Sequence, residues 1–148
     1  DTVALCMGVQ VDRVLVPADG SPLSQDALAY ALAVHPTAAI TVLHVIDYVE
    51  EVDVAEAVVG REELRERTTE RAEALLAEVT ADVTDTDRLT TASVFGTPAA
   101  EIISYTEDHG IDLIVMGSHG RTGLSRVLLG NVAQSVLKDA PVPVTVIR

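Results

Sequence analysis

Lysine occurs once in the 148 residues, at Lys138, cysteine once, at Cys6, and tryptophan not at all. A lone cysteine excludes an intrachain disulfide. Cys6 also lacks the histidine or basic neighbour that marks a reactive thiol, so it is assigned no role. Aromatic residues make up only 3%, which leaves Val, Leu, Ile and Ala to build the core. Bases are scarce, 10 against 23 acids, and all but Lys138 are arginines. The net charge of −13 excludes the basic footprint that non-specific nucleic-acid binding needs. An acidic, lysine-poor surface suits a salt-rich cytoplasm, because salt screens the repulsion among carboxylates. We therefore expect a halophilic source, with an ordinary acidic cytosolic protein as the alternative. No apolar run reaches the length of a membrane span. Residues 1–10 are neither basic nor long enough for a secretory leader and read as an N-terminal extension. The expectation is a soluble, cytoplasmic chain with one domain over residues 11–148.

What is present is a hydrophobic fraction of 48%, arranged as short apolar runs between helical patterns. Strands are predicted at Arg13–Pro17, Ile40–Ile46, Arg88–Phe95, Ile111–Met116 and Val142–Ile147. Near-continuous β-branched runs indicate strands buried on both faces. The third is more polar, which suits a position near an edge. Ser21 and Pro22 open a first helix with a buried stripe at Leu23, Ala27, Leu28, Ala31 and Leu32. A second spans Arg61–Val79, with Leu64, Ala72, Leu75, Leu76 and Val79 facing inward. Thr97 and Pro98 start a third, which carries Ile102 and Ile103 and stops at Gly110. A fourth spans Asn131–Asp139. This alternation specifies an open five-stranded parallel α/β sheet between four helices, with right-handed crossovers. Such sheets bind ligands at the carboxyl ends of their strands. The acidic connection 47–60 reads as a solvated loop, with a lid as the alternative.

The most informative stretch follows the fourth strand, from Gly117 to Val132. Glycines at 117, 120, 123 and 130 let backbone N–H groups approach a ligand. The loop leads into a helix whose amino end favours negative charge. No Asp or Glu occurs from Leu113 to Lys138, where an even spread of the chain's 23 acids would place about four. Arg121, Arg126 and Lys138 make this a local positive island in an acidic chain. The loop is neither a G-x-x-x-x-G-K-[ST] phosphate loop nor a G-x-G-x-x-G dinucleotide fingerprint. Anion binding is one reading of it, and a glycine turn that merely starts a helix is the other. His44 lies inside a strand and reads as a satisfied core or rim histidine. His35 and His109 end helices, where they suit the dipole.

The spacing Gly117-x2-Gly120-x9-Gly130 resembles the ATP loop of the universal stress protein family, G-x2-G-x9-G-[ST]. The likeness covers residues 11–148 and includes Val16-Pro17-Ala18-Asp19-Gly20-Ser21, Leu43-His44-Val45-Ile46 and Ile114 to Gly123. The last motif position is Asn131 rather than Ser or Thr. Its amide can cap a helix and hydrogen-bond a phosphate but supplies no hydroxyl to a metal. The resemblance implies a Rossmann-like, adenine nucleotide alpha-hydrolase-like fold and ATP as ligand, with Mg or Mn held through its phosphates. It implies that Gly117, Gly120 and Gly130 shape a phosphate cradle. Ser118, His119, Asn131 and the backbone of Val132 would hydrogen-bond phosphate oxygens, and Arg121 and Arg126 would either reach them or only solubilise the loop. It implies further that Asp19 accepts from ribose hydroxyls, although Asp-Gly-Ser-Pro is also a turn sequence. Pro17, Ala18, Val45 and Met116 would line the adenine and ribose pocket.

The resemblance also implies a regulatory role in stress response and a homodimer through strand 142–148. Pro143 suits an edge strand, and an apolar edge invites pairing. Two alternatives stand beside the regulatory binder. One is a nucleotide-free protein-interaction module. The other is a slow ATPase with His119 as its acid–base group, which the absence of a nearby carboxylate base disfavours.

Overall fold

The computed structural model describes residues 10–47, 60–119 and 129–148. Five parallel strands, β1 (Arg13–Pro17), β2 (Ala39–Ile46), β3 (Leu89–Phe95), β4 (Leu113–Gly117) and β5 (Val144–Ile147), form one sheet in the order β3-β2-β1-β4-β5. Four helices connect them: α1 (Pro22–Val34), α2 (Arg61–Val79), α3 (Pro98–Asp108) and α4 (Asn131–Asp139). This is the open α/β sheet expected from the alternation of apolar runs, and β3, the polar strand, lies at one edge.

Alternate strand residues supply two cores. Val14, Val16, Ile40, Val42, Leu113 and Val115 pack with Ala27, Leu28 and Ala31 of α1 and Leu76 and Val79 of α2. On the other face Leu15, Leu43, Ile114 and Met116 pack with Ile102 of α3 and Ala133 and Val136 of α4. Each fully buried Val, Leu or Ile contributes about 1.5–3 kcal/mol relative to its exposed state. The small aliphatic interior follows from the aromatic scarcity of the sequence.

Several boundaries and faces differ from expectation. The fourth strand begins at Leu113, because Ile111 and Asp112 close the preceding turn. Ile111 N–H donates to the Thr106 carbonyl at 3.1 Å, and the Asp112 carboxylate accepts from the N–H groups of Asp12 and Arg13. The last strand begins at Val144, with Val142 and Pro143 in the approach to it. On α2 the buried stripe includes Thr68, while Leu75 is only half-buried. The Thr68 hydroxyl is satisfied by the Arg65 carbonyl at 2.9 Å, so this polar residue reaches the core without loss of a hydrogen bond. Residues 1–9 and most of the 47–60 connection lie outside the described residues.

Candidate functional site

Strands β1 and β4 are neighbours, yet the helices that follow them lie on opposite faces. After β1 the chain turns to α1 on the face of Val14 and Val16. After β4 it turns to α4 on the face of Leu15 and Ile114. The strand order reverses here, so the carboxyl ends of β1 and β4 border the crevice where open α/β sheets bind ligands. Four expected site residues, Pro17, Ala18, Met116 and Gly117, stand at these two strand ends. Val45 is next to the end of β2.

The turn after β1 is held by a set of hydrogen bonds. Ala18 N–H donates to the Leu43 carbonyl at 2.8 Å. The ring Nδ1 of His44 lies 2.8 Å from the Ala18 carbonyl. A carbonyl only accepts, so His44 carries its proton on Nδ1. Asp19 N–H donates to Ser24 Oγ at 3.0 Å. Asp19 Oδ1 accepts from Ser21 N–H and from the Ser24 hydroxyl, each at 3.0 Å. Asp19 therefore acts as a turn former, with Ser24, 3% exposed on α1, as its anchor. Ser21 occupies the N-cap position of α1 but makes no side-chain capping bond.

The segment after β4 is equally tied at its two ends. Ser118 is fully buried; its N–H donates to the Ile147 carbonyl at 2.7 Å. Its carbonyl accepts from Gly130 N–H at 2.6 Å, which joins the start and the end of the glycine segment. Its hydroxyl lies 3.1 Å from Nδ1 of His119. A Cβ on Gly130 would stand 3.2 Å from His119 Cα and 3.3 Å from the Ser118 carbonyl oxygen. Glycine is thus the residue that lets the two ends of the segment touch. Gly120 and Arg121 lie outside the described residues.

Helix α4 starts at this neck. Its N-cap is Gly130, and no side chain caps it. Asn131 is the first helical residue, as in the expected Asn131–Asp139 helix, and is exposed; the capping that its amide can provide is not used. Gln134 N–H is the first to find a partner within the helix turn, the Gly130 carbonyl at 3.0 Å. The N–H groups of Asn131, Val132 and Ala133 precede it and have no intrahelical acceptor. They point out of the amino end of a helix whose dipole favours an anion.

Burial separates the remaining expected residues. Met116 and Ala18 are buried, in opposite cores, while Pro17 and Val45 are partly exposed. Sequence reasoning missed Ser24 and the contact of His44 with Ala18. A serine at the third position of a helix carries no special signal, and only the fold brings His44 to the β1 turn. Among the described residues no group of three His, Cys, Asp or Glu could hold a metal ion, and no helix is long and apolar enough to cross a membrane. The arrangement can bind an anion through backbone N–H groups. Among the described residues, neither Gly117–His119 nor the first turn of α4 carries a carboxylate.

Comparison with known proteins fits this geometry. The family model described as the universal stress protein family matches residues 10–148. The universal stress protein MJ0577 of Methanocaldococcus jannaschii is 31% identical over 96% of this chain and 98% of its own length. The solved structure of MJ0577 superposes with a TM-score of 0.80 at 34% identity, covering 94% of this chain and 96% of that one. The universal stress protein UspA from Lactobacillus plantarum has a TM-score of 0.75 at 31% identity, over 95% and 99% of the two chains. A universal stress protein in complex with cAMP shares the fold at 20% identity and a TM-score of 0.66, over 93% and 97%. The chain belongs to the universal stress protein family.

Proposed function

We propose that this universal stress protein binds ATP, or a related adenine nucleotide, in the crevice between β1 and β4. In this reading, occupancy of the crevice regulates a cytoplasmic stress response. The observation that carries the reading is the uncapped amino end of α4. Three N–H groups without intrahelical partners stand there beside a glycine neck, in a stretch without a single Asp or Glu from Leu113 to Lys138. A polyphosphate satisfies those groups and complements the helix dipole. Ser118 and His119 stand at the same neck, and Gly120 and Arg121 follow them in sequence. The turn of Pro17, Ala18 and Asp19 is left to receive the nucleoside. Mg²⁺ or Mn²⁺ would be held by the phosphates and water, which requires no protein ligand cluster.

The site reads as a binding site rather than a catalytic one, because a hydrolase needs a group that orients water and the stretch from Leu113 to Lys138 supplies no carboxylate for that task. Homodimerisation through the open edge of β5 completes the proposal.

Asn131→Asp tests it. The substitution keeps the side-chain shape and places a carboxylate at the first position of α4, where it favours the helix dipole but repels a phosphate. Calorimetric titration of ATP with Mg²⁺ is expected to show at least a tenfold loss of affinity in a variant that melts no lower than wild type. Unchanged affinity in that variant would remove the phosphates from the amino end of α4.

A further inference from the structure

The last residue pair of the β1–β2 ladder is Pro17 with Leu43. Beyond it the main chain of β1 must leave the sheet, and its peptide groups need partners outside the regular register. Ala18 N–H still reaches the Leu43 carbonyl, and Asp19 N–H is taken by Ser24 Oγ. The carbonyl between them, that of Ala18, is held by a side chain: Nδ1 of His44 at 2.8 Å. His44 is half-buried within β2, and its own backbone is fixed by pairing opposite Ser93 of β3. The ring is therefore anchored to the rigid part of the sheet, while its proton holds the first peptide of the turn. The Asp19 side chain, tied to Ser21 and Ser24, follows that peptide directly.

We propose that His44 is a positioning residue for the nucleoside half of the site. Resting on the nucleotide reading, it acts through the Ala18 carbonyl to fix the orientation of the Ala18–Asp19 peptide that receives the sugar and base. Among the described residues, the hydrogen bond of His44 to the Ala18 carbonyl involves no residue of the phosphate half, which is built on Ser118, Gly130 and the start of α4. Loss of the Nδ1 donor leaves the Ala18–Asp19 peptide held by Asp19 N–H on Ser24 Oγ and widens its range of orientation, which lowers affinity for a nucleoside but not for inorganic polyphosphate.

Two variants separate positioning from packing. His44→Asn supplies an amide N–H close to the place of Nδ1, and His44→Phe keeps a ring without the donor. ATP and inorganic tripolyphosphate are titrated into wild type and both variants, with circular dichroism to establish folding. His44→Ala replaces the Phe variant if the phenyl ring is not accommodated. The expected result is a loss of ATP affinity of tenfold or more in His44→Phe, unchanged tripolyphosphate binding, and substantial rescue of ATP binding in His44→Asn. Equal loss of both ligands, unchanged ATP binding in His44→Phe, or no rescue by His44→Asn would overturn the role of His44. Failure of wild type to bind either ligand would instead strike the nucleotide reading, and the positioning role with it.

Discussion

Gly117, the last residue of β4, lies so close to Leu23 of α1 that a Cβ added to the glycine would stand 2.8 Å from the Cβ of Leu23. The obstructing atom is a Cβ, fixed to the helix backbone, and cannot swing away. The amino end of α1 is thereby held against the end of β4, on the border of the crevice. Gly117→Ala must push α1 from β4, an overpacking that costs about 1–3 kcal/mol. Urea unfolding is expected to show this loss. A change below about 0.5 kcal/mol, the scatter of ordinary surface substitutions, would mean that the helix yields freely.

Arg88 performs a comparable task at the opposite end of α1. Its guanidinium donates to the carbonyls of Leu32 at 2.7 Å, His35 at 2.7 Å and Ala38 at 2.9 Å, and to Asp85 Oδ2 at 2.6 Å. The side chain is 17% exposed, so water replaces these bonds poorly. Arg88→Ala is expected to destabilise the fold by about 2–4 kcal/mol, through the orphaned carbonyls of the helix end. Arg88→Lys should recover only a minor part, because one ammonium cannot span three carbonyls and a carboxylate. Full recovery by lysine, read in the same unfolding experiment, would show that charge alone matters.

The outer edge of β5 is the place to test self-association. Ile114 N–H donates to the Pro143 carbonyl and Ser118 N–H to the Ile147 carbonyl. In a parallel ladder alternate residues face one neighbour, so the N–H groups of Val144 and Val146 point away from β4. Val146→Pro removes an outward donor without touching the ladder to β4. Light scattering in molar KCl is expected to give a dimer for wild type and a monomer for the variant. A wild-type monomer would dismiss the edge as an interface.

Much of the fold was legible because every strand but the polar third carries a near-continuous apolar run, and Ser21-Pro22 and Thr97-Pro98 mark two of the helix starts. Pro22, Pro98 and the bounds of α2 and α4 follow directly from the sequence pattern. Strand ends were less legible: Ile111 and Val142 look like strand residues, but local turn hydrogen bonds and Pro143 keep them outside. Of the site, the glycines of the α4 neck carried a signal through their spacing. The capping capacity of the Asn131 amide goes unused, because Gly130 occupies the N-cap position and Asn131 is already helical. Asp19 kept both of its readings in sequence, and only coordinates reveal its bonds to Ser21 and Ser24. Contacts such as Leu23 with Gly117, or His44 with Ala18, join distant segments and leave no local pattern.

The central claim, a nucleotide site at the neck closed by Gly130, is tested most directly by thermal unfolding with and without ATP and Mg²⁺. The experiment uses wild type and Gly130→Val in molar KCl, which screens the net charge of −13. At 100 times its dissociation constant, a ligand of the native state stabilises by about 2.7 kcal/mol. The account predicts that ATP raises the melting temperature of wild type but not that of the variant, whose added side chain meets His119 Cα and the Ser118 carbonyl. A well-folded wild type that does not shift, or a variant that shifts equally, would contradict it and favour a nucleotide-free interaction module.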